Sequence, residues 1–395
     1  MSYQLQNDSV GLRVTLISGS YPYIKCGVGD FTEQLANALA ELAVDVHVIT
    51  STGAAQPTTG KVKVHTIVND WTRRSLSPIL DALRKINPHV VNVQYPTQQY
   101  GRHLAVNFLP WVISTRLHIP TVVSIHEFSS FTSLGRLRLT MTAKLSQAVI
   151  VTNSFEKSLL RAWIGPSPSI TLIPIGSSIP ILSSPGFERS ELRQKLGVAA
   201  SSIVLAFFGQ ISPSKGLDTL LDAFSIACTQ QPELDLRLWI LADRESSVPD
   251  FNAYHASFAS RLKELPQSNR VFWSGYLSPD ALSNYLQAVD VGVLPFDDGA
   301  SLRRSTLIAM LSHGLPVLST DGRSTGGNQL GDSQGLSLVP PHNAQALAEQ
   351  MLHLATNPAL RAALRAKAQV FSRQFSWPDI AKQTRNVYQQ LLPAG

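Results

Sequence analysis

The sequence predicts an α/β protein with two Rossmann-like domains. Short runs rich in Val, Ile and Leu alternate with helical patterns, which is typical of parallel sheets covered by helices. A length of 395 residues exceeds what one hydrophobic core usually supports, and an apolar content of 44% is enough for two. A segment rich in Pro, Ser and Gly, residues 176–188, interrupts the alternation and predicts a linker.

Seven strands are predicted in the first half. In order they read RVTLIS, DVHVIT, VKVHTI, HVVNVQ, TVVSIH, AVIVTN and ITLIP. The helix after the first strand, FTEQLANALAEL, places Phe31, Leu35, Leu39 and Leu42 on one face, as a helix packed on a sheet requires.

The second half repeats the alternation. Its predicted strands are SIVLAFFG, LRLWILA, RVFWSG, DVGVLPF and LPVLST, with helices such as GLDTLLDAFSIACTQ between them. The helical runs NAQALAEQMLHLATN and PALRAALRAKAQVFSRQF close this domain, and PDIAKQTRNVYQQLL follows as a last amphipathic helix.

Composition excludes several classes of protein. The polar N-terminal residues lack a basic segment followed by an apolar run, so no cleaved secretory signal is expected. No apolar run approaches the roughly 18 residues of a membrane span. Cys26 and Cys228 lie far apart without ligand-like spacing, which favours a reducing cytoplasm and argues against a disulfide framework or a cysteine-based zinc site. We therefore expect a cytoplasmic protein.

The positive charge is concentrated in the first half. Residues 1–177 hold 15 Lys and Arg against 9 Asp and Glu, whereas residues 178–395 hold 18 against 18. This asymmetry indicates an anionic partner, with a merely basic surface as an equal alternative. A nucleic acid is the weakest candidate, because Lys and Arg are not clustered among aromatic residues. The segments HLAVNFLPWVISTRLH and SSFTSLGRLRLTMTAKL suit peripheral docking on an anionic inner membrane face, and ordinary packed helices are the alternative.

Two loops of the first domain are candidate site loops, because ligands of doubly wound sheets bind beyond the carboxyl ends of strands. Gly27 and Gly29 lie between a strand and a helix, where backbone N–H groups can approach an anion. The dinucleotide fingerprint does not follow and no acidic residue ends DVHVIT, which excludes an NAD site. His126 follows the strand TVVSI, and both a structural and a catalytic role fit that position.

In the second domain, two predicted helices begin with positive charge. Lys215 precedes one, and Arg303 with Arg304 precedes another. Cations at a helix N-terminus are unfavourable unless an anion binds there. We therefore predict a diphosphate clamp, although a lysine that reaches into water is an alternative for Lys215. Hydroxyl groups within hydrogen-bonding reach are supplied by Ser301, Ser305 and Thr306.

The order of these motifs resembles the GT-B glycosyltransferases of family 4. The segments that carry the resemblance span nearly the whole chain and include CGVGDFTEQLANAL, SIHEF, LIPIGSSI, FFGQISPSKGLDTLLDAF, FWSGYLSPDALSNYLQAVDVGVLPF, LIAMLSHGLPVLST and FSWPDIAKQTRNVYQQLL. The resemblance implies two Rossmann-like domains facing across a cleft, with the acceptor mainly on the first and a nucleotide-sugar on the second. It also implies that the last helix crosses back, so that residues 1–177 and 378–395 form the first domain and residues 188–377 the second.

The resemblance implies roles for individual residues. Gly27 and Gly29 match the glycine loop that approaches the donor phosphate, and His126 matches the histidine beside the reacting sugar. In the second domain, Lys215 matches one member of the diphosphate pair, whereas Gln210 replaces its arginine partner. The turn whose backbone faces the nucleobase is matched by Gly275 and Tyr276.

One family motif is absent, the pair of glutamates near the donor sugar and ribose. Alignment on the dipeptide AM places Ala300 and Ile308 at these positions, whereas a shifted alignment makes Asp298 the sugar-contacting carboxylate, and both registers stay open. Arg303 and Arg304 then supply the charge missing at Gln210. The donor nucleotide is left open between UDP, GDP and ADP.

The implied activity is transfer of a sugar from a nucleoside-diphosphate sugar to a hydroxyl acceptor with retention at the anomeric carbon. The acceptor is a polysaccharide, a lipid-linked group or a small molecule, and no cofactor or essential metal is expected. The absence of an Asp-x-Asp motif fits a metal-independent reaction. A sugar-nucleotide epimerase, a phosphorylase and a non-catalytic sugar-nucleotide-binding subunit are the alternatives. The linkage and the oligomeric state are not determined by the sequence.

Overall fold

The computed structural model describes residues 11–24, 26–54, 60–101, 103–129, 131–177, 179–181, 187–245, 249–322 and 330–393. The chain divides into two compact units, Met1–Ile175 with Trp377–Gly395, and Gly176–Ser376. Residues 1–10, on which the expectation about a secretory signal depends, lie outside the described residues. The described part of the predicted linker contains no helix or strand.

The first unit contains a seven-stranded parallel sheet with the order β3-β2-β1-β4-β5-β6-β7. In the inner strand formed by residues 13–17, Leu16 lies opposite Val48 on one side and Asn92 on the other. Continuous runs of buried β-branched residues are expected of strands that are covered on both faces. The strands are β1 (Arg13–Ile17), β2 (Asp45–Ser51), β3 (Lys63–Val68), β4 (Val90–Tyr95), β5 (Thr121–Ile125), β6 (Ala148–Val151) and β7 (Ser169–Leu172).

Helices cover both faces of this sheet. One face carries α2 to α5, whose inward side chains share a hydrophobic cluster with the strands, and the other face carries α1. Neighbouring helices of the larger layer contact each other in sequence order. The helices are α1 (Gly27–Glu41), α2 (Leu76–Ile86), α3 (Ala105–Leu117), α4 (Ser133–Lys144) and α5 (Ser154–Ile164).

The second unit contains a six-stranded parallel sheet with the order β10-β9-β8-β11-β12-β13. The strands are β8 (Ile203–Phe208), β9 (Leu236–Leu241), β10 (Val271–Trp273), β11 (Val291–Leu294), β12 (Val317–Thr320) and β13 (Leu336–Val339). The edge strand β13, four residues that pair with β12, was not among the predicted strands. The helices are α6 (Arg189–Lys195), α7 (Leu217–Gln230), α8 (Asn252–Glu264), α9 (Pro279–Ala288), α10 (Ser305–Ser312), α11 (Ala344–Thr356) and α12 (Pro358–Ser372).

The last helix, α13 (Trp377–Gln389), packs on α1 of the first unit. Ile380 and Tyr388 are fully buried there, and the Tyr388 hydroxyl accepts a hydrogen bond of 2.7 Å from Nδ2 of Asn92. This buried contact joins α13 to the centre of the first sheet. The predicted return of the C-terminal helix to the first domain is confirmed.

Candidate functional site

In both sheets the strand order reverses beside the first strand of the unit, between β1 and β4 and between β8 and β11. The crevice beyond the carboxyl ends of the strands at such a point is the usual ligand site of a doubly wound sheet. His126 follows β5 in the first unit, and Gln210 and Asp298 follow β8 and β11 in the second. The fold therefore places the predicted residues at this end of each sheet.

His126 is a neutral imidazole held from two directions. Its Nε2 lies 3.0 Å from Oε1 of Gln94, and its ring meets the ring of Phe31 edge to face at a centroid distance of 4.6 Å. Burial lowers the pKa of His126 to about 4, so the ring is uncharged near pH 7. Because Phe31 belongs to α1, the histidine lies beside the helix that begins at Gly27.

The two predicted glycines at the start of α1 differ in their surroundings. A Cβ on Gly29 would lie 3.1 Å from the carbonyl group of Ser20, whereas a Cβ on Gly27 would meet nothing within 4 Å. Gly29 therefore permits close packing of the loop after β1 on the helix. Gly27 leaves open space at the helix N-terminus, where an anion is favoured.

The loop that follows His126 is fixed by a buried carboxylate that the sequence analysis missed. Glu156 is fully buried, and its Oε2 accepts hydrogen bonds of 3.0 Å from the backbone N–H groups of Phe128 and Ser129. Ser129 Oγ donates to Oε1 of the same carboxylate at 2.7 Å. These bonds anchor the chain two residues beyond the histidine. A glutamate three residues after an N-cap asparagine signals a helix start, and nothing in the sequence indicates this second role.

The second unit contains a pocket of about 370 Å³ at the carboxyl ends of β8, β9 and β10. Its size and mostly apolar lining are typical of a small-molecule site. Tyr276 is 75% exposed, so its ring is available to a ligand. The lining residues are Ile179, Phe208, Gly209, Gln210, Ile211, Leu241, Ala242, Asp243, Glu245, His255, Gly275, Tyr276, Leu277, Pro279, Leu282 and Thr306. Four predicted residues, Gln210, Gly275, Tyr276 and Thr306, thus share one pocket.

Two cations lie against one aromatic ring beside this pocket. Nζ of Lys215 is 5.4 Å and Cζ of Arg304 is 4.0 Å from the centroid of Phe296, and Arg304 forms an ion pair with Asp298. We call these four residues the cation cluster. Nε of Arg304 is buried and has no hydrogen-bond partner among the described residues. Asp298, and beside it Asp297, are the carboxylates that interact with Arg304.

Burial and mutual repulsion lower the pKa of Lys215 to about 8. Desolvation is the main cause and the positive charge of Arg304 the next, while Asp298 acts in the opposite direction. Within the described residues, no carboxylate lies within ion-pair distance of Nζ of Lys215. An anion at this point would relieve the repulsion and restore the lysine charge.

A glycine brings the two loops of the cation cluster together. Gly216 has φ of +67°, and a Cβ at this position would lie 1.8 Å from the carbonyl oxygen of Pro295. The loop after β8 can therefore pack directly on the loop after β11. Lys215 and Phe296 are neighbours in space for this reason.

The start of α10 connects the cluster to the pocket. Arg304 precedes the helix in an extended conformation, and a Cβ on Gly209 would lie 3.2 Å from Cγ2 of Thr306. Ser305 is exposed at the first helical position, and a helix N-terminus with free N–H groups attracts anions. Ser301 instead is buried, and its Oγ accepts a hydrogen bond of 3.3 Å from the backbone N–H of Arg303. The first turn of the helix therefore presents Ser305 rather than Ser301.

The two alignments of the missing glutamate motif place either Ala300 and Ile308 or Asp298 near the donor sugar, and these three residues differ in exposure. Ala300 and Ile308 are fully buried, whereas the side chain of Asp298 is 51% exposed. A buried alanine and a buried isoleucine offer no hydrogen-bonding group to a ligand. Among these three, Asp298 alone has a carboxylate that a ligand can reach.

Two further residues were missed by the sequence analysis. Phe296 lies two residues after the strand VGVL ends, and an aromatic residue near that strand end was the available signal. Asp297 lies 3.4 Å from Nδ1 of His342, and burial raises the pKa of the aspartate. The contact between Asp297 and His342 joins distant segments of the chain, and no local sequence pattern predicts it.

The described residues lack two kinds of feature. They contain no group of three or more His, Cys, Asp or Glu side chains that could hold a metal ion. They also contain no helix that is both long and apolar enough to span a membrane.

Two glycosyltransferase families match the chain. The family described as Glycosyltransferase Family 4 matches residues 26–177, and the family described as Glycosyl transferases group 1 matches residues 202–357. Together the matches span more than three quarters of the 395 residues. Each match falls within one of the two compact units, apart from the residues at the linker.

Curated relatives match over most of their length. The D-inositol 3-phosphate glycosyltransferase of Kineococcus radiotolerans is 23% identical, with 98% of this chain and 97% of the relative covered. The protein of the same name from Arthrobacter sp. strain FB24 is 24% identical, with 92% and 89% covered.

Solved structures share the fold at low identity. Sucrose-phosphate synthase from Thermosynechococcus elongatus superimposes with a TM-score of 0.73 at 18% identity, covering 96% of this chain and 99% of that one. Anabaena HepE in complex with UDP gives a TM-score of 0.73 at 17% identity, covering 96% and 100%. The predicted GT-B fold class of two Rossmann-like domains is confirmed.

Proposed function

The chain belongs to the family 4, or group 1, glycosyltransferases, and from this premise we propose that it transfers a sugar to a hydroxyl acceptor with retention at the anomeric carbon and without an essential metal. The donor is a nucleoside-diphosphate sugar bound in the second unit. The cation cluster carries this proposal, because two partly desolvated cations lie against one aromatic ring beside a pocket of nucleotide size.

The cation cluster would hold the donor diphosphate. Departure of the nucleoside diphosphate leaves an oxocarbenium-like sugar and builds negative charge on the leaving phosphate. Lys215 and Arg304 stabilise this charge more strongly as it grows, which lowers the barrier. Loss of one such contact typically costs roughly 3 kcal/mol, or about a hundredfold in rate. These two side chains would supply the charge that a divalent cation supplies in metal-dependent transferases.

The pocket would hold the nucleobase and ribose. Backbone groups at Gly275 and the exposed ring of Tyr276 are the features that a base can contact through hydrogen bonds and stacking. We propose UDP as the nucleotide, because the solved relative HepE binds UDP and UDP-glucose. Gln210 lines the same pocket and would contact the phosphates without a charge of its own.

His126 of the first unit is a candidate sugar contact, and so is Asp298 of the second unit. The low pKa keeps His126 neutral, so it can donate or accept a hydrogen bond to a sugar hydroxyl but cannot repel the oxocarbenium-like centre. Asp298 is the accessible carboxylate next to Arg304 and would contact the sugar hydroxyls. Neither residue is assigned as a nucleophile.

Inositol 3-phosphate is the first acceptor to test. The relatives that cover nearly the whole chain carry the name D-inositol 3-phosphate glycosyltransferase, although identity is only 23% to 24%. A phosphorylated hydroxyl compound also suits the excess of positive charge in the first half of the sequence.

Slow donor hydrolysis tests the reaction without a known acceptor. UDP-, GDP- and ADP-glucose are incubated with the protein in EDTA, and NMR records the anomer that is released first. Retention predicts the α-anomer before mutarotation, with a rate at least tenfold lower in Lys215→Met. First release of the β-anomer would contradict retention, and activity restored only by Mg²⁺ or Mn²⁺ would contradict metal independence.

The same samples separate the alternative functions. An epimerase converts the donor to a second nucleotide-sugar without release of the diphosphate. A phosphorylase forms a sugar phosphate only when inorganic phosphate is added. A non-catalytic subunit binds the donor, as seen by calorimetry, and leaves all three donors intact even with inositol 3-phosphate present.

A further inference from the structure

Large apolar side chains are exposed on one helical layer of the first unit. Of the eleven large hydrophobic residues that are exposed in the described chain, seven belong to α3, α4 and α5 or to the residue that precedes α3. They are Leu104, Phe108, Trp111, Leu134, Leu137, Phe155 and Trp163. Exposed apolar residues are ordinary when they are scattered, but a concentration on neighbouring helices indicates a binding surface.

The pattern along α3 shows that its outer face is apolar as well as its inner face. Val106, Leu109 and Ile113 are buried against the sheet, while Phe108 and Trp111 point outward with 39% and 52% exposure. A helix that is apolar all round is normally covered on every side. No element among the described residues covers the outer face of this one.

The adjacent helix α4 extends this surface. Leu134 and Leu137, one turn apart, are 69% and 56% exposed, and α3 and α4 contact each other along the layer. We call the five side chains Leu104, Phe108, Trp111, Leu134 and Leu137 the apolar face.

Positive charge surrounds the apolar face, and carboxylates are nearly absent from the sequence that forms it. Residues 104–144, which run from Leu104 to the end of α4, contain four Lys and Arg but a single acidic residue, Glu127. Arg116 is exposed near the end of α3 and Lys144 is exposed at the end of α4. Apolar side chains with a cationic rim and without opposing carboxylates match the headgroup region of an anionic bilayer.

We propose that the apolar face is a docking site for an anionic phospholipid bilayer, with α3 and α4 lying along the headgroup region. Trp111 and Phe108 would insert at the level where aromatic residues are favoured, and Arg116 and Lys144 would contact lipid phosphates. The partner follows from charge complementarity and from the shape of two exposed helices. The inference does not depend on the proposed activity.

Vesicle flotation of the full-length protein tests the proposal. The protein is mixed with vesicles of phosphatidylcholine alone, or with vesicles that also contain phosphatidylglycerol at about 40%. That anionic fraction is enough to give the vesicles a negative surface potential. The protein is expected to float with the anionic vesicles at low salt. Binding should weaken several-fold in 0.5 M salt, since surface charges are screened at roughly that concentration.

Variants on the exposed side chains separate the two contributions. Trp111→Ser with Leu137→Ser is expected to lower partitioning by at least about tenfold, because two large apolar groups no longer leave water. Arg116→Glu with Lys144→Glu should abolish the preference for anionic over neutral vesicles. All four positions are exposed, so thermal unfolding should be unchanged.

Matched controls lie on the second unit. Val370→Ser removes a side chain that is 63% exposed on α12, and Lys263→Glu reverses an exposed charge on α8. Neither should change flotation. Absence of wild-type protein from the anionic vesicle fraction, or equal partitioning of the patch variants and these controls, would overturn the proposal. A dimer in size-exclusion chromatography that Trp111→Ser dissociates would also overturn it, since a second copy would then cover the face.

Discussion

Nucleotide binding is predicted to decrease as the pH rises through 8, because the charge of Lys215 is lost there. Burial and the nearby Arg304 lower the pKa of this lysine from its ordinary value of 10.5 to about 8. That shift corresponds to roughly 3 kcal/mol of preference for the neutral amine. A bound diphosphate reverses the preference, so binding must take up a proton wherever the free lysine is neutral.

The size of the effect follows from the protonated fraction. With a pKa of about 8, most Lys215 side chains are charged at pH 7.5, and roughly one in ten is charged at pH 9. The apparent affinity for UDP scales with the competent fraction and should fall about tenfold over this interval. The terminal phosphate of UDP has a pKa of about 6, so it is ionised over this whole interval.

Isothermal titration calorimetry of UDP in buffers of different ionisation enthalpy measures both the affinity and the proton uptake. Lys215→Met should bind at least about tenfold more weakly at pH 7.5, as expected for loss of a contact to a charged group, and its affinity should not depend on pH. Lys263→Met, at an exposed position on α8, is the matched control. A pH-independent affinity of the wild type, or a pH dependence that persists in Lys215→Met, would show that the charge of Lys215 does not control UDP binding.

Three further predictions concern the turn, the sugar contact and the histidine. Gly216→Ala should lower the free energy of unfolding in urea by about 3 kcal/mol or more, because the new Cβ combines a left-handed φ with overlap on Pro295. The control Gly197→Ala has a similar φ of +66° but no atom near the new Cβ, so it should lower the free energy of unfolding by about 1 kcal/mol. Asp298→Asn should reduce donor hydrolysis at least about tenfold with UDP affinity changed by less than threefold; equal losses in both would show that the carboxylate serves the diphosphate site instead. The folded-state pKa of His126, about 4, lies below its unfolded value, so the folded chain binds fewer protons and loses stability as the pH falls from 6.5 towards 4. Urea titrations over that pH range should show that His126→Asn loses less free energy of unfolding than the wild type, by up to about 3 kcal/mol. The same pH dependence of the unfolding free energy in both proteins would contradict a buried, neutral His126.

The sequence predicted the architecture because the signals of this fold are local. Runs such as TVVSI and IVLAFF are recognisable without tertiary information, since both faces of an inner parallel strand are buried. The edge strand β13 escaped notice because it has four residues and only one neighbour in the sheet.

Part of the candidate site could be predicted because its signals are also local. Lys215 and Arg304 were found from charge at helix starts, which is a local pattern. Both cations contact Phe296 because two loops approach each other closely at Gly216. This approach results from the strand order, which the sequence of neither loop predicts. Exposure likewise separated Asp298 from the buried Ala300, where alignment by motif left two registers open.

The most direct test of the cation cluster compares UDP, UMP and uridine as ligands in thermal-shift and calorimetric titrations. Affinity is expected to increase from uridine to UMP to UDP. Arg304→Gln should remove most of the gain from UMP to UDP and leave the binding of uridine unchanged. Equal affinities for UMP and UDP in the wild type, or a full gain in Arg304→Gln, would contradict the assignment of a diphosphate clamp to these residues.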